Sequence, residues 1–591
     1  VTVAQANVAN ALTTGVVTGT ISTGDMATLD GLTETGHAYT LTVTDTTVAA
    51  ANLITLDGKT TVNVDVTAAT TLTGTLANLT TVYGAATLNG LGAEACTISD
   101  GTITVAEANT FAALTTGVVT ATIATGTVAA LNVLTETANA YAVTVNDASL
   151  NAGDLATLNA KTTGVVTVSA TTITGGISDI AAAYAANTAG TVAGLGNEAV
   201  TIGDTGTVLV SDLNSVDAAT TGAVNAAAVT GLTGTATAVN TAYASAGITG
   251  LANEAVTITG TTSAAADITT ANTNTTGVVT VQSTAITGTA TQLTTVYAAN
   301  TAGTVAGLGN EAITVSDATI TADQITAARA LTSGVATFSA TTITGSASAI
   351  ATAYTANTAG TVAGLGDEAV TITDTGTIAV ADLNTINAGT TGVVTATTVT
   401  GLTGTATAIN TAYAANTTGA ITGLGNELVT ITAATSAAAD ITTANTNTTG
   451  VVTVNSTTLT GNVADLKTVF ADNAAGFITG LGNEAVTVSD TSIDAADIVT
   501  LDGETTGVLT VQATTVTGTA SNISTAYAAN TAGTVTGLGD EAVTISDTGT
   551  ITATDLNSVD AATTGAVNAA AVTGLTGTAT AINTAYASAG I

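Results

Sequence analysis

The sequence predicts a mainly β fold, an elongated β-solenoid built from tandem repeats of about 57 residues, each with two coils of about 28 residues and short helices. Three markers with one shared period support this prediction. The first is the phrase Gly-Leu-Gly-Asn/Asp-Glu, with one Gly-Leu-Ala-Asn-Glu variant, which recurs at intervals of 56, 57, 57, 59, 57 and 57 residues. Its glutamates are Glu198, Glu254, Glu311, Glu368, Glu427, Glu484 and Glu541.

The other two markers follow the same period. One is a Thr-Thr-Gly or Thr-Ser-Gly phrase, with glycines at Gly164, Gly222, Gly277, Gly334, Gly392, Gly450, Gly507 and Gly565. The other is a single aromatic residue, at Tyr184, Tyr243, Tyr297, Tyr354, Tyr413, Phe470, Tyr527 and Tyr586. So short a repeat cannot bury an apolar face alone, so we expect stacked neighbours to share one core. Separate small domains are the competing architecture, but each would have little core and no linkers divide them.

The repeat that begins at Glu368 illustrates the strand predictions. Apolar β-branched residues alternate with threonine over Val370–Ile372 and again over 377–380, with a turn at Asp374-Thr-Gly between them. This period of two is typical of short strands with one buried face. The segment Val393–Val399 repeats the pattern and predicts another strand.

Two short helices complete this repeat. Asp382 is predicted as the N-cap of the first, which ends before Gly392. The second is predicted over 404–415, where Ile409 and Tyr413 lie four residues apart. Each repeat therefore reads as strand, strand and helix, twice over.

The chain divides softly near residue 195. Residues 1–195 form a divergent region with an internal offset of 102 residues, and residues 196–591 form the regular repeats. The regular part is nested in super-repeats of about 171 residues, and residues 204–248 match 547–591 at 40 of 45 positions. Because Val1 follows neither an initiator methionine nor a signal segment, we expect the chain to be a piece of a longer protein.

The composition excludes several functions. Only four residues are lysine or arginine against 41 aspartates and glutamates, and the net charge of −37 is incompatible with binding nucleic acid or an anionic membrane surface. No apolar run approaches the roughly 18 residues that a membrane-spanning helix needs. One cysteine, Cys96, excludes a disulfide framework and a cysteine-based zinc site.

Periodic acids are the candidate metal ligands. Five repeat glutamates are each followed six residues later by an aspartate, and carboxylates with few basic partners suit calcium. The candidate calcium ligands are Glu198, Asp204, Glu311, Asp317, Glu368, Asp374, Glu484, Asp490, Glu541 and Asp547. The competing interpretation makes these aspartates turn residues. It makes a second series helix N-caps: Asp212, Asp267, Asp323, Asp382, Asp440, Asp497 and Asp555.

Catalysis is not expected. The only histidine, His37, lies outside the regular repeats, and Cys96 lies in a strand pattern that predicts burial. Duplication gives every repeat the same residues, whereas an enzyme needs one distinctive site. Outward threonines could instead stack into ladders of the kind that suits ice binding.

The phrase Gly-Leu-Gly-Asn-Glu-Ala-Val-Thr-Ile, together with Ile-Asn-Thr-Ala-Tyr-Ala, resembles tandem repeats of giant secreted bacterial proteins of the cyanobacterial type. Adhesins and surface-layer components belong to this group, and the resemblance implies an extracellular location. The expected function is therefore a non-catalytic structural protein, part of a cell-surface filament, sheath or surface layer. Its expected partners are copies of itself and a possible cell-surface glycan. An adhesin stalk or an ice-binding solenoid is the alternative.

Overall fold

The computed structural model of the chain describes residues 1–591. They form two compact units, one of residues 1–283 and 298–308, the other of residues 284–297 and 309–591. Both units consist of parallel strands in small sheets that alternate with helices. The expectation of a mainly β fold is wrong, because 36% of the residues are helical and 27% are in strands. The protein has a repetitive parallel β/α fold, because the alanine-rich part of each coil favours helix.

The helices are longer than the sequence analysis expected, and many span ten to thirteen residues. They are α1 Val3–Ala11, α2 Met26–Leu29, α3 Ala50–Asp57, α4 Leu76–Gly84, α5 Val105–Ala112, α6 Val128–Leu131, α7 Ala152–Asn159, α8 Ile177–Ala189, α9 Val210–Ala219, α10 Ala236–Ala244, α11 Ala265–Asn274, α12 Ala290–Ala302, α13 Ala322–Leu331, α14 Ala347–Thr358, α15 Val380–Gly389, α16 Ala406–Thr418, α17 Ala438–Asn447, α18 Val463–Ala475, α19 Ala495–Glu504, α20 Ala520–Ala532, α21 Ala553–Ala562 and α22 Ala579–Ala587. No helix has both the length and the apolar character that crossing a membrane requires.

The strands are short, with two to six residues each. They are β1 Thr18–Thr20, β2 Ala38–Thr42, β3 Thr47–Ala49, β4 Val64–Asp65, β5 Thr71–Gly74, β6 Leu88–Asn89, β7 Ala95–Ile98, β8 Val119–Thr122, β9 Ala140–Val145, β10 Ser149–Asn151, β11 Val166–Val168, β12 Thr172–Gly175, β13 Val192–Ala193, β14 Ala199–Ile202, β15 Thr207–Leu209, β16 Val224–Asn225, β17 Gly231–Gly234, β18 Ile248–Thr249, β19 Ala255–Ile258, β20 Thr262–Ala264, β21 Val279–Val281, β22 Ala285–Gly288, β23 Val305–Ala306, β24 Ala312–Val315, β25 Thr319–Thr321, β26 Ala336–Phe338, β27 Thr342–Gly345, β28 Val362–Ala363, β29 Ala369–Ile372, β30 Thr377–Ala379, β31 Val394–Thr395, β32 Gly401–Gly404, β33 Ile421–Thr422, β34 Leu428–Ile431, β35 Thr435–Ala437, β36 Val452–Val454, β37 Thr458–Gly461, β38 Ile478–Thr479, β39 Ala485–Val488, β40 Ser492–Asp494, β41 Leu509–Val511, β42 Thr515–Gly518, β43 Val535–Thr536, β44 Ala542–Ile545, β45 Thr550–Thr552, β46 Val567–Asn568 and β47 Gly574–Thr576.

The repeat that begins at Glu368 confirms the predicted order of strand, strand and helix, twice over, in β29, β30, α15, β31, β32 and α16. Two boundaries differ from prediction. The segment Val393–Val399 is not one strand, because β31 ends at Thr395 and a turn precedes β32. Helix α16 extends three residues past position 415 and is followed by an additional two-residue strand, β33.

Strand pairing is parallel and follows a step shorter than the sequence repeat. In the sheet β30–β32–β34–β36–β38, the paired residues are Ile378, Leu402, Val429, Val452 and Ile478, at steps of 24, 27, 23 and 26 residues. A half-repeat is about 28 residues, so each step reaches an earlier position within the repeat. The repeat then supplies no further extended segment at that place, which explains why this sheet ends after five strands.

The core lies between the strands and one face of each helix. In α15 the buried residues are Val380, Leu383 and Ile386, which lie three residues apart and share a helical face. Strand β29 buries Val370 and Ile372 and leaves Thr371 outside. The predicted alternation of apolar inner and threonine outer positions is confirmed here.

Candidate functional site

The three sequence markers meet around one buried carboxylate in each repeat. Glu427 is fully buried, at 0% exposure. The Tyr413 hydroxyl, held by α16, donates to Glu427 Oε2 over 2.9 Å. The backbone N–H of Gly425 donates to both carboxylate oxygens, at 3.1 and 2.8 Å. Since a buried charge is costly without partners, these donors explain how the glutamate is accommodated.

The backbone of the same glutamate holds the next coil. The Thr448 hydroxyl donates to the carbonyl oxygen of Glu427 over 2.7 Å and accepts from the N–H of Gly450 over 2.9 Å. A Cβ atom at Gly450 would collide with that carbonyl group. The glycine of the Thr-Thr-Gly phrase is therefore required by close approach of the backbone. We call this arrangement of Tyr413, Gly425, Glu427, Thr448 and Gly450 the Tyr-Glu junction.

The junction recurs along the chain. Seven tyrosine hydroxyls donate to a buried glutamate over 2.8–3.1 Å. The pairs are Tyr83–Glu94, Tyr184–Glu198, Tyr243–Glu254, Tyr297–Glu311, Tyr354–Glu368, Tyr413–Glu427 and Tyr527–Glu541. Sequence analysis found the tyrosines and the glutamates but not the bond between them.

The spacing within each pair was the signal that could have found this bond. Tyr413 precedes Glu427 by 14 residues, whereas Tyr243 precedes Glu254 by 11. The difference of three residues is close to one helical turn. Helix α10, which holds Tyr243, has nine residues against thirteen in α16. The chain therefore loses a turn of helix without losing the contact.

One repeat lacks the tyrosine. Phe470 occupies its place in α18 and is buried, but it has no hydroxyl group to donate. Glu484 is equally buried and accepts hydrogen bonds only from the N–H of Gly482, at 3.0 Å to each oxygen. This carboxylate therefore has one donor fewer than its equivalents.

Burial changes the acidity of the tyrosines. Loss of solvation raises the pKa of Tyr413 well above its ordinary value, and the negative charge of Glu427 raises it further. Burial also raises the pKa of Tyr141 to about 12. The pKa values of Tyr83, Tyr184, Tyr243, Tyr297, Tyr354 and Tyr527 are raised in the same direction, also mainly by burial.

The predicted calcium ligands are not brought together in pairs. In each pair the glutamate precedes a four-residue strand, and the aspartate follows the end of that strand. At ~3.3 Å per residue, the strand alone places the two carboxylates more than 10 Å apart. No cluster of three or more acidic, histidine or cysteine side chains suited to a metal ion occurs in residues 1–591. Calcium binding therefore stays a prediction from the sequence.

The aspartates of these pairs bind a neighbouring coil. Asp374 Oδ2 accepts the N–H of Ala347, the first residue of α14, over 2.7 Å. Asp204, Asp317, Asp490 and Asp547 make the same bond, at 2.6 or 2.7 Å, to Ile177, Ala290, Val463 and Ala520. A carboxylate at the start of a helix also interacts favourably with the helix dipole. These aspartates therefore link each coil to the preceding helix.

The second series of aspartates does not supply the predicted N-caps. Asp382 is the third residue of α15, and Ala379 occupies the N-cap position without a side-chain bond. Each aspartate of the series lies in the first helical turn. The N-cap prediction is wrong by about one turn because the apolar strand residue continues directly into the helix, but the favourable charge at the helix start remains.

Outward threonines do form ladders. Five successive strands, β25, β27, β29, β31 and β33, pair threonine with threonine at one position. These residues are Thr321, Thr344, Thr371, Thr395 and Thr422. The ladder ends where the five-stranded sheet ends.

The histidine and the cysteine have structural surroundings. His37 is buried, and its Nδ1 accepts the N–H of Val17 over 3.0 Å. Cys96 is buried in β7 as predicted, with Sγ 3.2 Å from the Tyr83 hydroxyl, and burial raises the pKa of its thiol. Neither group is placed as an exposed nucleophile or base.

Comparison with known proteins adds no relative. No protein-family model matches the chain, and no curated protein is significantly similar to it in sequence. The resemblance to bacterial surface proteins therefore depends on the repeat phrases alone.

Proposed function

We propose that the chain is a non-catalytic structural repeat protein, a subunit or fragment of an extracellular filament, sheath or surface layer. The observation that carries this proposal is the recurrence of the Tyr-Glu junction. Buried charges, which are costly to place, are used in repeat after repeat to hold one coil against the next. Such a use supports a role in mechanical continuity.

We further propose that each unit is a solenoid whose coils are the strand, strand and helix segments. Parallel pairing at steps of 23 to 27 residues supports this architecture. In a solenoid each repeat contacts only its neighbours, and the repeated surface offers many equivalent contacts to another copy. Self-association into a filament or layer is the expected consequence.

The proposed absence of catalysis has its own support. The only histidine accepts a backbone N–H and the only cysteine is buried. The repeated glutamates are already bonded to tyrosine hydroxyls and glycine amides, which suits anchoring better than proton transfer.

Sedimentation velocity tests the self-association. The purified chain is measured over a hundredfold range of concentration at constant salt, because a net charge of −37 makes repulsion between copies salt-dependent. We expect species larger than the monomer to grow with concentration. A monomer at every concentration would contradict a filament or layer subunit and favour an adhesin stalk.

Ice binding is the second candidate, and the threonine ladders favour it. Matched hydroxyl and methyl groups repeat along five strands at the spacing of ~4.8 Å that separates neighbouring strands. Thermal hysteresis of the purified chain tests this function. Each ladder is confined to one sheet, so we expect no hysteresis; a measurable gap between melting and freezing would favour the ice-binding function.

A further inference from the structure

One repeat carries an apolar patch on the outer face of its sheet. Leu428, Val451 and Phe477 stand at the starts of β34, β36 and β38 and are 60%, 38% and 60% exposed. Backbone bonds from the N–H of Val429 to Val451 and from the N–H of Val452 to Phe477 place the three residues on adjacent strands. We call these three side chains the Phe477 patch. Single exposed apolar residues are common, but three neighbours on one flat face need an explanation.

The Phe477 patch is peculiar to this repeat. Alanine occupies the position of Leu428 in the other regular repeats, at Ala199, Ala255, Ala312, Ala369, Ala485 and Ala542. Small residues occupy the position of Phe477, at Thr191, Gly247, Thr304, Thr361, Ala420 and Thr534. The large side chains are therefore not required by the fold.

Hydroxyl groups lie beside the patch on the same face. Thr430, Thr453 and Thr479 follow the three apolar residues by two positions, and side chains two positions apart share a face of a strand. The hydroxyl oxygens of Thr453 and Thr479 are 3.2 Å apart. An aromatic ring, aliphatic side chains and a row of hydroxyls are thus presented together to solvent.

The geometry points to a binding site for a neutral polysaccharide. The C–H face of a sugar ring packs on the Phe477 ring, and the sugar hydroxyls exchange hydrogen bonds with the threonines, which combines the apolar surface and few polar groups of a ligand site. The net charge of −37 disfavours an anionic glycan. Three side chains cover far less than the ~800 Å² per partner that a stable protein interface buries. The inference is independent of self-association, since a glycan can bind to a single copy.

Native gels that contain a soluble polysaccharide test the site. The intact chain is run through hydroxyethyl cellulose, dextran or alginate, the last of which is anionic. The variants Phe477→Thr and Leu428→Ala restore residues found at the same positions of other repeats, so they preserve the fold. A second variant, Ala312→Leu with Thr361→Phe, builds the patch in another repeat around Val335.

We expect a neutral polysaccharide to retard the intact chain and alginate not to. Phe477→Thr should weaken the apparent affinity about tenfold, the loss expected for one aromatic contact, and the grafted patch should increase the retardation. Three results would overturn the proposal: no retardation by either neutral polysaccharide, retardation unchanged in Phe477→Thr, or stronger retardation by alginate. If Phe477→Thr instead abolishes association between copies in sedimentation velocity, the patch is an interface between copies and not a glycan site.

Discussion

Tyr413 and Glu427 lie fourteen residues apart in the sequence and share a hydrogen bond of 2.9 Å inside the protein. The bond joins the end of one coil to the turn that starts the next repeat. Thr448 then binds the carbonyl group of the same glutamate from the following coil. One residue type per repeat, the glutamate, thus connects three successive segments of the chain.

Removal of the tyrosine hydroxyl should weaken this connection. Tyr413→Phe is expected to lower the stability by about 1.5–3 kcal/mol, the usual contribution of a hydrogen bond to a charged group. Hydrogen exchange at the amides of α16 and β34, followed by mass spectrometry, measures the change locally, which suits a repeat protein that need not unfold in one step.

The repeat with Phe470 supplies the reciprocal experiment. Phe470→Tyr should give Glu484 the donor that it lacks and slow exchange around α18. Exchange around α16 serves as the internal control in that variant. Faster exchange in Phe470→Tyr, or no change in Tyr413→Phe, would contradict a stabilising bond between tyrosine and glutamate.

The glycine of the Thr-Thr-Gly phrase should tolerate no side chain. Gly450→Ala forces a Cβ atom against the Glu427 carbonyl group, and we expect a loss of at least about 2 kcal/mol from the resulting backbone shift. Gly503→Ala is the matched control, since Gly503 lies inside α19 with free space around it. That change should stabilise the protein by about 0.5–1 kcal/mol. Equal melting temperatures for the two variants would show that the close contact is unimportant.

The raised tyrosine pKa values predict a loss of stability in alkali. Below about pH 10, tyrosines are protonated in both the folded and the unfolded chain, and their full contribution is present. Above it, the unfolded chain loses protons that the folded chain keeps, so the free energy of unfolding falls as the pH rises. Circular dichroism and absorbance at 295 nm from pH 9 to 12.5 should show ionisation of the buried tyrosines together with unfolding. Their ionisation near pH 10 in a chain that stays folded would refute the burial argument.

Chelation should leave the fold unchanged. The glutamates and aspartates proposed as calcium ligands already accept backbone N–H groups and, in most repeats, a tyrosine hydroxyl. We therefore expect the same melting temperature in millimolar calcium and in EGTA, with magnesium as the control for ionic strength. A lower melting temperature in EGTA alone would establish the calcium sites that the sequence predicted.

The sequence was sufficient to predict the repeat and the order of its elements. Alternation around Val370 located β29, and the period of the markers located the junction residues. Helix length was underestimated because Asp382 resembled a cap, whereas α15 begins two residues earlier on Val380, an apolar residue that the core buries. Tertiary burial decided that boundary, and local propensity did not.

The function of the acids was harder to predict. A regular series of carboxylates with few basic partners resembles a set of metal ligands in the sequence. The partners that stabilise them are backbone N–H groups, such as that of Ala347 for Asp374, 27 residues apart. No residue type marks a backbone donor, so only the folded chain reveals it.

Cryo-electron microscopy of the purified chain in millimolar calcium tests the structural role most directly. We expect continuous filaments or sheets whose periodicity matches whole repeats, with the contacts between copies visible on the repeated surface. Separate particles that stay unassociated at high concentration would contradict a self-assembling structural protein.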